Sequence, residues 1–236
     1  PRQRKRAAPV QLLLGHYDTV WPAGTLATMP FVIEGERVRG PGVYDMKGGL
    51  AQLVVALATL RGLDLEPAVT PVVLVNADEE VGSRESGHHV HRLARLACRA
   101  FVLEPSLGTE GRLKTERKGV ARYTVFVQGR AAHAGLDPAA GASAILELSH
   151  VIQALFALND PARGITVNVG TIDGGLRPNV VAPQSRAVVD VRTRSRADAE
   201  AVDAAIRGLE PATPGTSLTV EGGLGRPPLE ATPRNR

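Results

Sequence analysis

Between residues 10 and 105, short apolar runs alternate with segments of helical spacing. Apolar runs of strand length cover Val10 to Leu14, Val69 to Asn76 and Ala100 to Leu103. Ala-rich and Leu-rich segments with helical spacing cover Gly48 to Leu60 and His88 to Ala97. Because parallel strands need a crossover connection between them, this order predicts an α/β domain built on a mostly parallel sheet.

The pattern changes near Glu116. From there the sequence predicts a strand at Val120 to Gln128, a helix at Ala139 to Leu158, strands at Ile165 to Ile172 and Arg186 to Val191, a helix at Arg196 to Leu209, and a strand at Ser217 to Glu221. This β-α-β-β-α-β order is typical of a ferredoxin-like α+β sandwich. We therefore expect an incomplete α/β domain at 1–115, an inserted α+β domain at 116–223 and a return to the first domain at 224–236.

The composition excludes several classes of protein. Hydrophobic residues make up 43% of the 236 residues and charged residues 22%, which is ordinary globular usage. No apolar run approaches the roughly 18 residues that a membrane helix needs. The single Cys98 cannot form an internal disulfide, and the first residues do not resemble an export signal. We expect a soluble, cytoplasmic protein.

The net charge of +4 does not by itself indicate a nucleic-acid partner. Seven of the 28 basic residues lie within the first six and the last eleven residues, and the segment between them is slightly acidic. Aromatic residues, on which bases would stack, make up only 3% of the chain. We therefore expect neither a nucleic acid nor a membrane as partner.

Polar residues follow the predicted strands at the edge where open α/β sheets place their ligands. His16 and Asp18 follow the first strand, Asp45 directly precedes the first helix, and Glu104 ends the third strand. His16 could bind a metal, with Asp18 orienting its ring. Taken singly, each residue also has a simpler explanation as a turn residue, a helix N-cap or a solvated carboxylate.

Three consecutive carboxylates, Asp78, Glu79 and Glu80, follow the strand that ends at Asn76. No Lys or Arg adjoins them, so they would repel one another unless a cation compensates their charge. One imidazole with at least four carboxylates suits zinc. In such a site a carboxylate can bridge two ions, and an additional Glu can act as a base.

The motifs become recognisable as an ordered set: GHYDTVWPAGT (15–25), GPGVYDMKGG (40–49), NADEEVGS (76–83), LEPS (103–106), GRAAHAG (129–135), RPNVVAP (177–183) and DVR (190–192). From about residue 10 to residue 230 the chain resembles the di-zinc aminoacylase/carboxypeptidase family. It is most similar to the glutamate carboxypeptidase branch, and acetylornithine deacetylase and succinyl-diaminopimelate desuccinylase are related members. The resemblance implies a catalytic α/β domain with an inserted lid and dimerisation domain.

The resemblance also implies a set of metal ligands. His16 and Glu104 would be terminal ligands of one zinc ion, Asp45 would bridge two zinc ions, and Glu80 would hold the second. Glu79 would act as general base and then as general acid. By the same resemblance, Asp18 would be the partner that orients the His16 ring.

The implied reaction is the zinc-dependent hydrolysis of an amide or peptide bond. It would release a C-terminal acidic amino acid, such as glutamate, from a small peptide or an N-acyl amino acid. An N-acyl-amino-acid deacetylase with the same chemistry is one alternative. A non-catalytic dimerising or binding fragment that lacks the last metal ligand is the other.

In the inserted domain, the resemblance implies that His133, Asn179 and Arg192 contact substrate. His133 would stabilise the oxyanion, usually from the partner subunit of a homodimer. Arg192 would bind a substrate carboxylate, because its planar fork can bond both oxygens. Without the resemblance, His133 is better explained as a turn residue before Gly135, and Arg192 as a charge at the end of a strand.

The chain departs from the family pattern at both ends. Family members continue after a segment like Arg226-Pro227 with further catalytic elements and a final His, and none of the six His residues here occupies that position. We therefore expect a central portion of a longer enzyme or a degenerate copy. Its second zinc would have only Asp45 and Glu80 as ligands, so we expect weak binding of that metal and poor hydrolysis by this chain alone.

Overall fold

The computed structural model describes residues 8–235. The chain divides into two compact units between Arg112 and Leu113. The first unit is an α/β unit, and the second is an α+β unit with an antiparallel sheet. None of the helices in the described residues is both long and apolar enough to cross a membrane.

The first unit is built on a parallel sheet. Its elements are β1 Val10–His16, β2 Val32–Glu34, β3 Arg37–Arg39, α1 Gly48–Gly62, β4 Thr70–Asn76, α2 Gly87–Leu96 and β5 Ala97–Val102. The three-stranded sheet has the order β4-β1-β5, and both pairs are parallel. This confirms the predicted α/β class.

Strand β1 lies in the middle of the sheet, and most of its apolar side chains are buried there. Leu12 and Leu13 are buried, and Leu12 pairs with Val72 of β4 and Ala100 of β5. The strand runs two residues past its predicted end at Leu14 and finishes at His16. His16 is therefore held in the sheet register rather than in a loose turn.

Glycine lets α1 approach this sheet closely. A Cβ at Gly49 would overlap the carbonyl oxygen of Leu103, directly after β5. On the other side, a Cβ at Gly15 would lie 2.7 Å from Leu50 Cδ2. Because Gly has no side chain, both contacts are possible without displacing the backbone. The start of α1 is thereby packed onto the ends of β1 and β5.

The second unit is a sheet covered on one face by two helices. Its elements are β6 Gly119–Gln128, α3 Ala144–Ala157, β7 Thr166–Gly174, β8 Gln184–Thr193, α4 Arg196–Arg207 and β9 Ser217–Arg226. The four-stranded antiparallel sheet has the order β7-β8-β6-β9. Together with the β-α-β-β-α-β sequence, this order confirms the ferredoxin-like sandwich.

The core of the second unit lies between the helices and one face of the sheet. Val125, Val189, Leu155 and Ile206 are fully buried there. Burial alternates along β6 and β8, so every second residue faces away from this core and is exposed or half-buried. The sheet therefore has one apolar face and one open face.

Two element ends in the second unit differ most from those predicted, by five residues each. α3 begins at Ala144 instead of 139, because Ser143 caps the helix and accepts a hydrogen bond from Leu146 N at 3.2 Å. β9 continues to Arg226 instead of ending at Glu221, because it stays paired with β6 up to that residue. The strand therefore includes residues that the sequence assigned to a return to the first domain.

Candidate metal centre

The carboxyl ends of β1, β4 and β5 meet at one edge of the first unit's sheet. His16, the last residue of β1, pairs with Asn76, the last residue of β4. Beyond β5, Leu103 N donates a hydrogen bond to Leu14 O at 2.9 Å. The segments that carry Asp18, the carboxylates after Asn76, and Glu104 therefore all begin at this edge.

His16 lies at the centre of this edge and is only 2% exposed. Its Nδ1 lies 3.1 Å from the carbonyl oxygen of Asp18 and 3.3 Å from Asp18 Oδ1. Its Nε2 lies 3.3 Å from Asp45 Oδ1 and 3.4 Å from Glu104 Oε1, yet has no hydrogen-bond partner in the described residues. With the ring proton on Nδ1, facing Asp18, Nε2 offers a lone pair to the carboxylate cluster.

Two overlapping groups of possible metal ligands share this imidazole. Ligand atoms of His16, Glu79 and Glu104 lie within 4.8 Å of one another, and so do those of His16, Asp45 and Glu80. Glu80 Oε1 is also buried without a hydrogen-bond partner among the residues described. Buried acceptor atoms that converge without donors between them fit a divalent cation, and this mixture of nitrogen and oxygen ligands suits zinc. The separate roles of Glu79 and Glu80 stay predictions.

The electrostatics of the cluster are strongly negative. Burial lowers the pKa of His16, but the hydrogen bond to the Asp18 carbonyl and the charges of Glu104, Glu79 and Asp18 outweigh burial and raise that pKa overall. Burial, followed by the negative charge of Asp45, raises the pKa of Glu104. Neighbouring carboxylates contribute to both shifts, and a bound cation would relieve the repulsion between them.

Asp18 contacts two of the predicted ligands rather than one. Besides lying beside the His16 ring, it accepts a hydrogen bond through Oδ2 from Glu80 N at 3.0 Å. One carboxylate therefore links the end of β1 to the loop after β4. The contact with Glu80 was not predicted, because a sequence pattern does not show which loops become neighbours.

Asp78 takes a role different from that of the two carboxylates that follow it. Its Oδ2 accepts hydrogen bonds from Glu85 N at 2.9 Å and Ser86 N at 3.0 Å. Hydrogen bonds from Ser86, above all, hold the pKa of Asp78 below its usual value. Asp78 therefore anchors the loop that carries Glu79 and Glu80, and it belongs to neither ligand group found in the described residues.

Asp45 lies in an irregular turn directly before α1. The next residue, Met46, is fully buried, and the backbone N–H of His16 lies 3.3 Å from its sulfur atom. Lys47 donates from Nζ to the carbonyl oxygen of Tyr17 at 2.9 Å. These two contacts hold the Asp45 turn against the end of β1, and the sequence pattern did not identify either Met46 or Lys47.

In the second unit, His133 and Asn179 lie on adjacent loops. Ala134 N donates to the carbonyl oxygen of Asn179 at 3.0 Å. His133 Nδ1 accepts hydrogen bonds from Gly135 N at 3.2 Å and Leu136 N at 3.1 Å. The turn explanation for His133 thus holds in the structure. The neutral ring then carries its proton on Nε2, which is the donor that an oxyanion needs.

Arg192 lies elsewhere on the second unit. The register pairs Val120 with Arg192 and Gln128 with Gln184, and the loop that carries His133 leaves after Gln128. Eight strand residues at the usual rise separate these two ends by about 26 Å. Within one second unit, the structure therefore does not bring Arg192 together with His133.

The guanidinium of Arg192 already has a partner. Its Nε donates to Asp190 Oδ1 at 2.7 Å, and its Nη2 donates to Asp190 Oδ2 at 3.1 Å. This hydrogen-bonded pair raises the pKa of Arg192. The sequence analysis did not assign a role to Asp190, although its spacing of two residues from Arg192 on a strand places both side chains on one face.

Comparisons with known proteins agree with this fold. The family model of the M20 peptidase dimerisation domain matches residues 115–209. Carboxypeptidase G2 from a Pseudomonas species is 33% identical over 199 residues, which are 84% of this chain and 47% of that protein. A probable carboxypeptidase from Aspergillus terreus is 33% identical over 227 residues, 89% of this chain and 50% of that protein.

A solved structure supports the fold. The aminopeptidase PepT of Bacillus cereus superimposes with a TM-score of 0.79 and 21% identity, over 96% of this chain and 61% of that one. This chain belongs to the M20 metallopeptidase family, which confirms the resemblance found in the sequence motifs. It spans about half the length of the curated relatives that it matches.

Proposed function

We propose that this chain carries the active-site residues of a zinc-dependent carboxypeptidase that releases a C-terminal acidic residue, such as glutamate, from a small peptide or N-acyl amino acid. The observation that carries the proposal is the buried Nε2 of His16, which lies 3.3 Å from Asp45 and 3.4 Å from Glu104. The names of the relatives, carboxypeptidase G2 and probable carboxypeptidase, support the reaction class.

Different side chains of this chain would bind the metal and transfer the proton. His16, Asp45, Glu80 and Glu104 would hold zinc, which supplies a Lewis acid that activates water and polarises the scissile carbonyl. Glu79, in the same cluster, takes the proton from the attacking water and returns it to the leaving amine. The Glu79 carboxylate thus serves first as base and then as acid.

Asp18 fixes the orientation of two of these ligands. Its carbonyl and carboxylate oxygens lie 3.1 Å and 3.3 Å from His16 Nδ1, so they favour the tautomer whose Nε2 faces the cluster. The same side chain holds the backbone of Glu80. Asp18 is therefore a positioning residue that fixes two ligands at once.

A homodimer is the proposed assembly. Residues 115–209 match a dimerisation domain. Gln184 and Arg192 lie about 26 Å apart along β8, and the loop that carries His133 leaves the sheet at the Gln184 end. That separation is too large for one small substrate to contact both His133 and Arg192 in a single chain. Two copies would resolve this, with Arg192 supplied by one subunit and His133 by its partner.

The first experiment is a metal and activity test on the zinc-loaded chain, with N-acetyl-L-glutamate and a dipeptide that ends in glutamate as substrates. We expect hydrolysis that a chelator abolishes and added zinc restores, together with reduced zinc binding by His16→Ala. Faster cleavage of the acetyl substrate would indicate the deacetylase alternative. If His16→Ala bound as much zinc as the unchanged chain, the proposed metal centre would be wrong.

A further inference from the structure

Asn76, the last residue of β4, is a buried amide at the base of the loop of residues 77–86, which carries Glu79 and Glu80. Its side chain is only 8% exposed, and the sheet register places it beside His16. Asn is mostly exposed in proteins, and a buried amide needs partners for its hydrogen-bonding groups. The acceptors around Asn76 Nδ2 lie in the loop that follows β4.

Three acceptors share this one amide nitrogen. Asn76 Nδ2 donates to Ser86 Oγ at 2.9 Å, and to Ser83 Oγ and Asp78 Oδ1 at 3.3 Å each. Ser86 and Asp78 are also joined directly, because Ser86 N donates to Asp78 Oδ2 at 3.0 Å. The beginning and the end of the loop are therefore tied to each other and to the end of β4.

Ser83 has a backbone conformation that a residue with a side chain disfavours. Its φ is 51°, and Gly82 before it has a φ of 94°, so two consecutive residues lie in the left-handed region. Such a conformation persists in a non-glycine residue only where surrounding contacts hold it. Here Ser83 N donates to the carbonyl oxygen of Asp78 at 2.7 Å, and Gly87 N donates to that of Ser83 at 2.9 Å. The Asn76 amide adds a bond to the Ser83 side chain.

The two carboxylates of the metal cluster lie between these anchored residues. Gly82 N donates to the carbonyl oxygen of Glu79 at 2.8 Å, and Glu80 N donates to Asp18 Oδ2 at 3.0 Å. The backbone of this pair is thus held from within the loop and from the end of β1. Asn76 bonds to residues on both sides of the pair, so it acts on the cluster through the loop backbone.

We propose that Asn76 is a positioning residue, which holds Glu79 and Glu80 at the metal cluster before a metal binds. The proposal rests on the proposed carboxypeptidase function and names the residue that keeps its base and one of its ligands in place. In the metal-free chain the clustered carboxylates repel one another, and the bonds of Asn76 oppose the opening of the loop. Without this amide, zinc would have to order the loop as it binds, so zinc binding would be weaker.

Hydrogen exchange of the metal-free chain tests the positioning role independently of activity. We expect Asn76→Ala to raise the exchange rates of the Glu80 and Ser86 amides roughly tenfold or more, while amides in the centre of β1 and β4 keep their protection. Asn159→Ala is the matched control, because Asn159 is an amide of the second unit that bonds to both backbone groups of Val167. It should leave the loop unchanged. Equal loss of protection in the loop and in both strands would overturn the proposal, since Asn76 would then serve general stability.

Zinc titration by calorimetry measures the consequence for the cluster. We expect Asn76→Ala to weaken zinc binding about tenfold, because one buried hydrogen-bonding group is lost. Ser86→Ala removes one acceptor of the same amide and should have a smaller effect in the same direction. If Asn76→Ala does not fold, unchanged loop exchange and zinc affinity in Ser86→Ala would overturn the positioning role.

The same measurements separate this role from the proposed function. If the original chain hydrolyses no substrate, but Asn76→Ala shows faster loop exchange and weaker zinc binding, the carboxypeptidase proposal fails and the positioning role stands. If the original chain is active and Asn76→Ala binds zinc with unchanged affinity, the positioning role fails and the carboxypeptidase proposal stands.

Discussion

The chemistry of the candidate centre depends on which carboxylate moves a proton and which holds metal. Glu79 and Glu80 are adjacent, and both have oxygens within 4.8 Å of ligand atoms around His16. If Glu79 is the base, Glu79→Gln should lower kcat by about 10²–10⁴ while zinc affinity stays close to its original value. Glu80→Gln should instead weaken zinc binding.

Calorimetric titration of zinc into the metal-free chain, with both variants in parallel, checks this assignment. The amide substitution keeps the size of each side chain, so a change in affinity reports the lost charge. A large loss of zinc affinity in Glu79→Gln would make Glu79 a ligand, and the proton would then need another carrier. The zinc titration gives an answer even where turnover is slow.

The members of this cluster could be predicted as a set rather than singly. His16 and Glu104 each lie at the end of an apolar strand, but a turn residue or a solvated carboxylate would explain either one alone, and only the ordered motifs together indicated a metal centre. The hydrogen bond from Glu80 N to Asp18 could not be predicted, since it depends on the lateral order of β1 and β4. Asp78 also resembles its neighbours in sequence, and only its bonds to the following loop distinguish it.

Glu147 is a buried carboxylate of α3 that has no part in the proposed chemistry. It accepts hydrogen bonds from Ala212 N at 3.0 Å and from Thr213 N at 2.5 Å, which anchor the loop before β9. Replacing it with Gln would turn an amide N–H₂ towards a backbone donor. We expect Glu147→Gln to lower the free energy of unfolding of the second unit by about 1–3 kcal/mol.

The same contacts give this anchor a defined pH dependence. Burial raises the pKa of Glu147, but the hydrogen bonds from Thr213 and Ala212 outweigh it and lower that pKa below its usual value of 4.5. A group with a lowered pKa in the folded state contributes stability that is complete above the usual value and is lost as the pH falls through the folded pKa. The difference in unfolding free energy between the original chain and Glu147→Gln should therefore be largest near pH 7 and shrink below pH 4.5.

Hydrogen exchange at the Ala212 and Thr213 amides, combined with urea unfolding, measures this effect. Glu200→Gln is the control, because Glu200 is an exposed carboxylate on the neighbouring helix α4. Equal protection of the two amides in the original chain and in Glu147→Gln would contradict the anchoring role.

At the scale of elements, the start of α1 positions the Asp45 turn and the Glu104 segment together. Gly49 faces the carbonyl oxygen of Leu103, and any side chain there would push α1 away from the end of β5. We expect Gly49→Ala to destabilise the first unit and to weaken zinc binding, because Glu104 directly follows Leu103. Thermal unfolding and zinc titration measure the two effects.

Gly62, at the other end of the same helix, provides the matched control. A Cβ at that position would meet no heavy atom within 4 Å. Gly62→Ala should therefore be neutral or should stabilise α1 by up to about 1 kcal/mol, because Ala has the higher helix propensity. If both variants behaved alike, the close approach at Gly49 would not matter for the site.

The elements themselves were predictable to different degrees. The strands of the parallel sheet and both helices of the second unit were predicted in the correct order, although β5 begins three residues before its predicted start. The hairpin of β2 and β3 was missed, because each strand has three exposed residues and such short segments show no apolar alternation. The start of α3 was displaced because the Ser143 cap competes with helix propensity in the residues before it.

At the scale of the whole molecule, the second unit presents a surface suited to self-association. Strand β7 is at an edge of the described sheet, so its outer hydrogen-bonding groups are available. A shallow groove beside it is lined by Ile152, Phe156 and Ile172, and the last two are 46% and 61% exposed. Exposed apolar side chains next to an open strand edge favour pairing with a second copy.

The proposed dimer can therefore be tested through this groove. A charge at the edge strand would be buried without a partner in the dimer but remain solvated in the monomer, so Ile172→Glu should shift the equilibrium towards monomer. Light scattering after size-exclusion chromatography measures the mass, and Leu113→Glu is the control, because Leu113 is 77% exposed and lies outside the groove. A dimer that survives Ile172→Glu but is lost in Leu113→Glu would place the interface elsewhere on the second unit. The metal cluster lies entirely within the first unit, so loss of the dimer should leave zinc binding intact. A folded Ile172→Glu monomer that binds zinc but turns over substrate poorly would therefore support the need for His133 from the partner subunit.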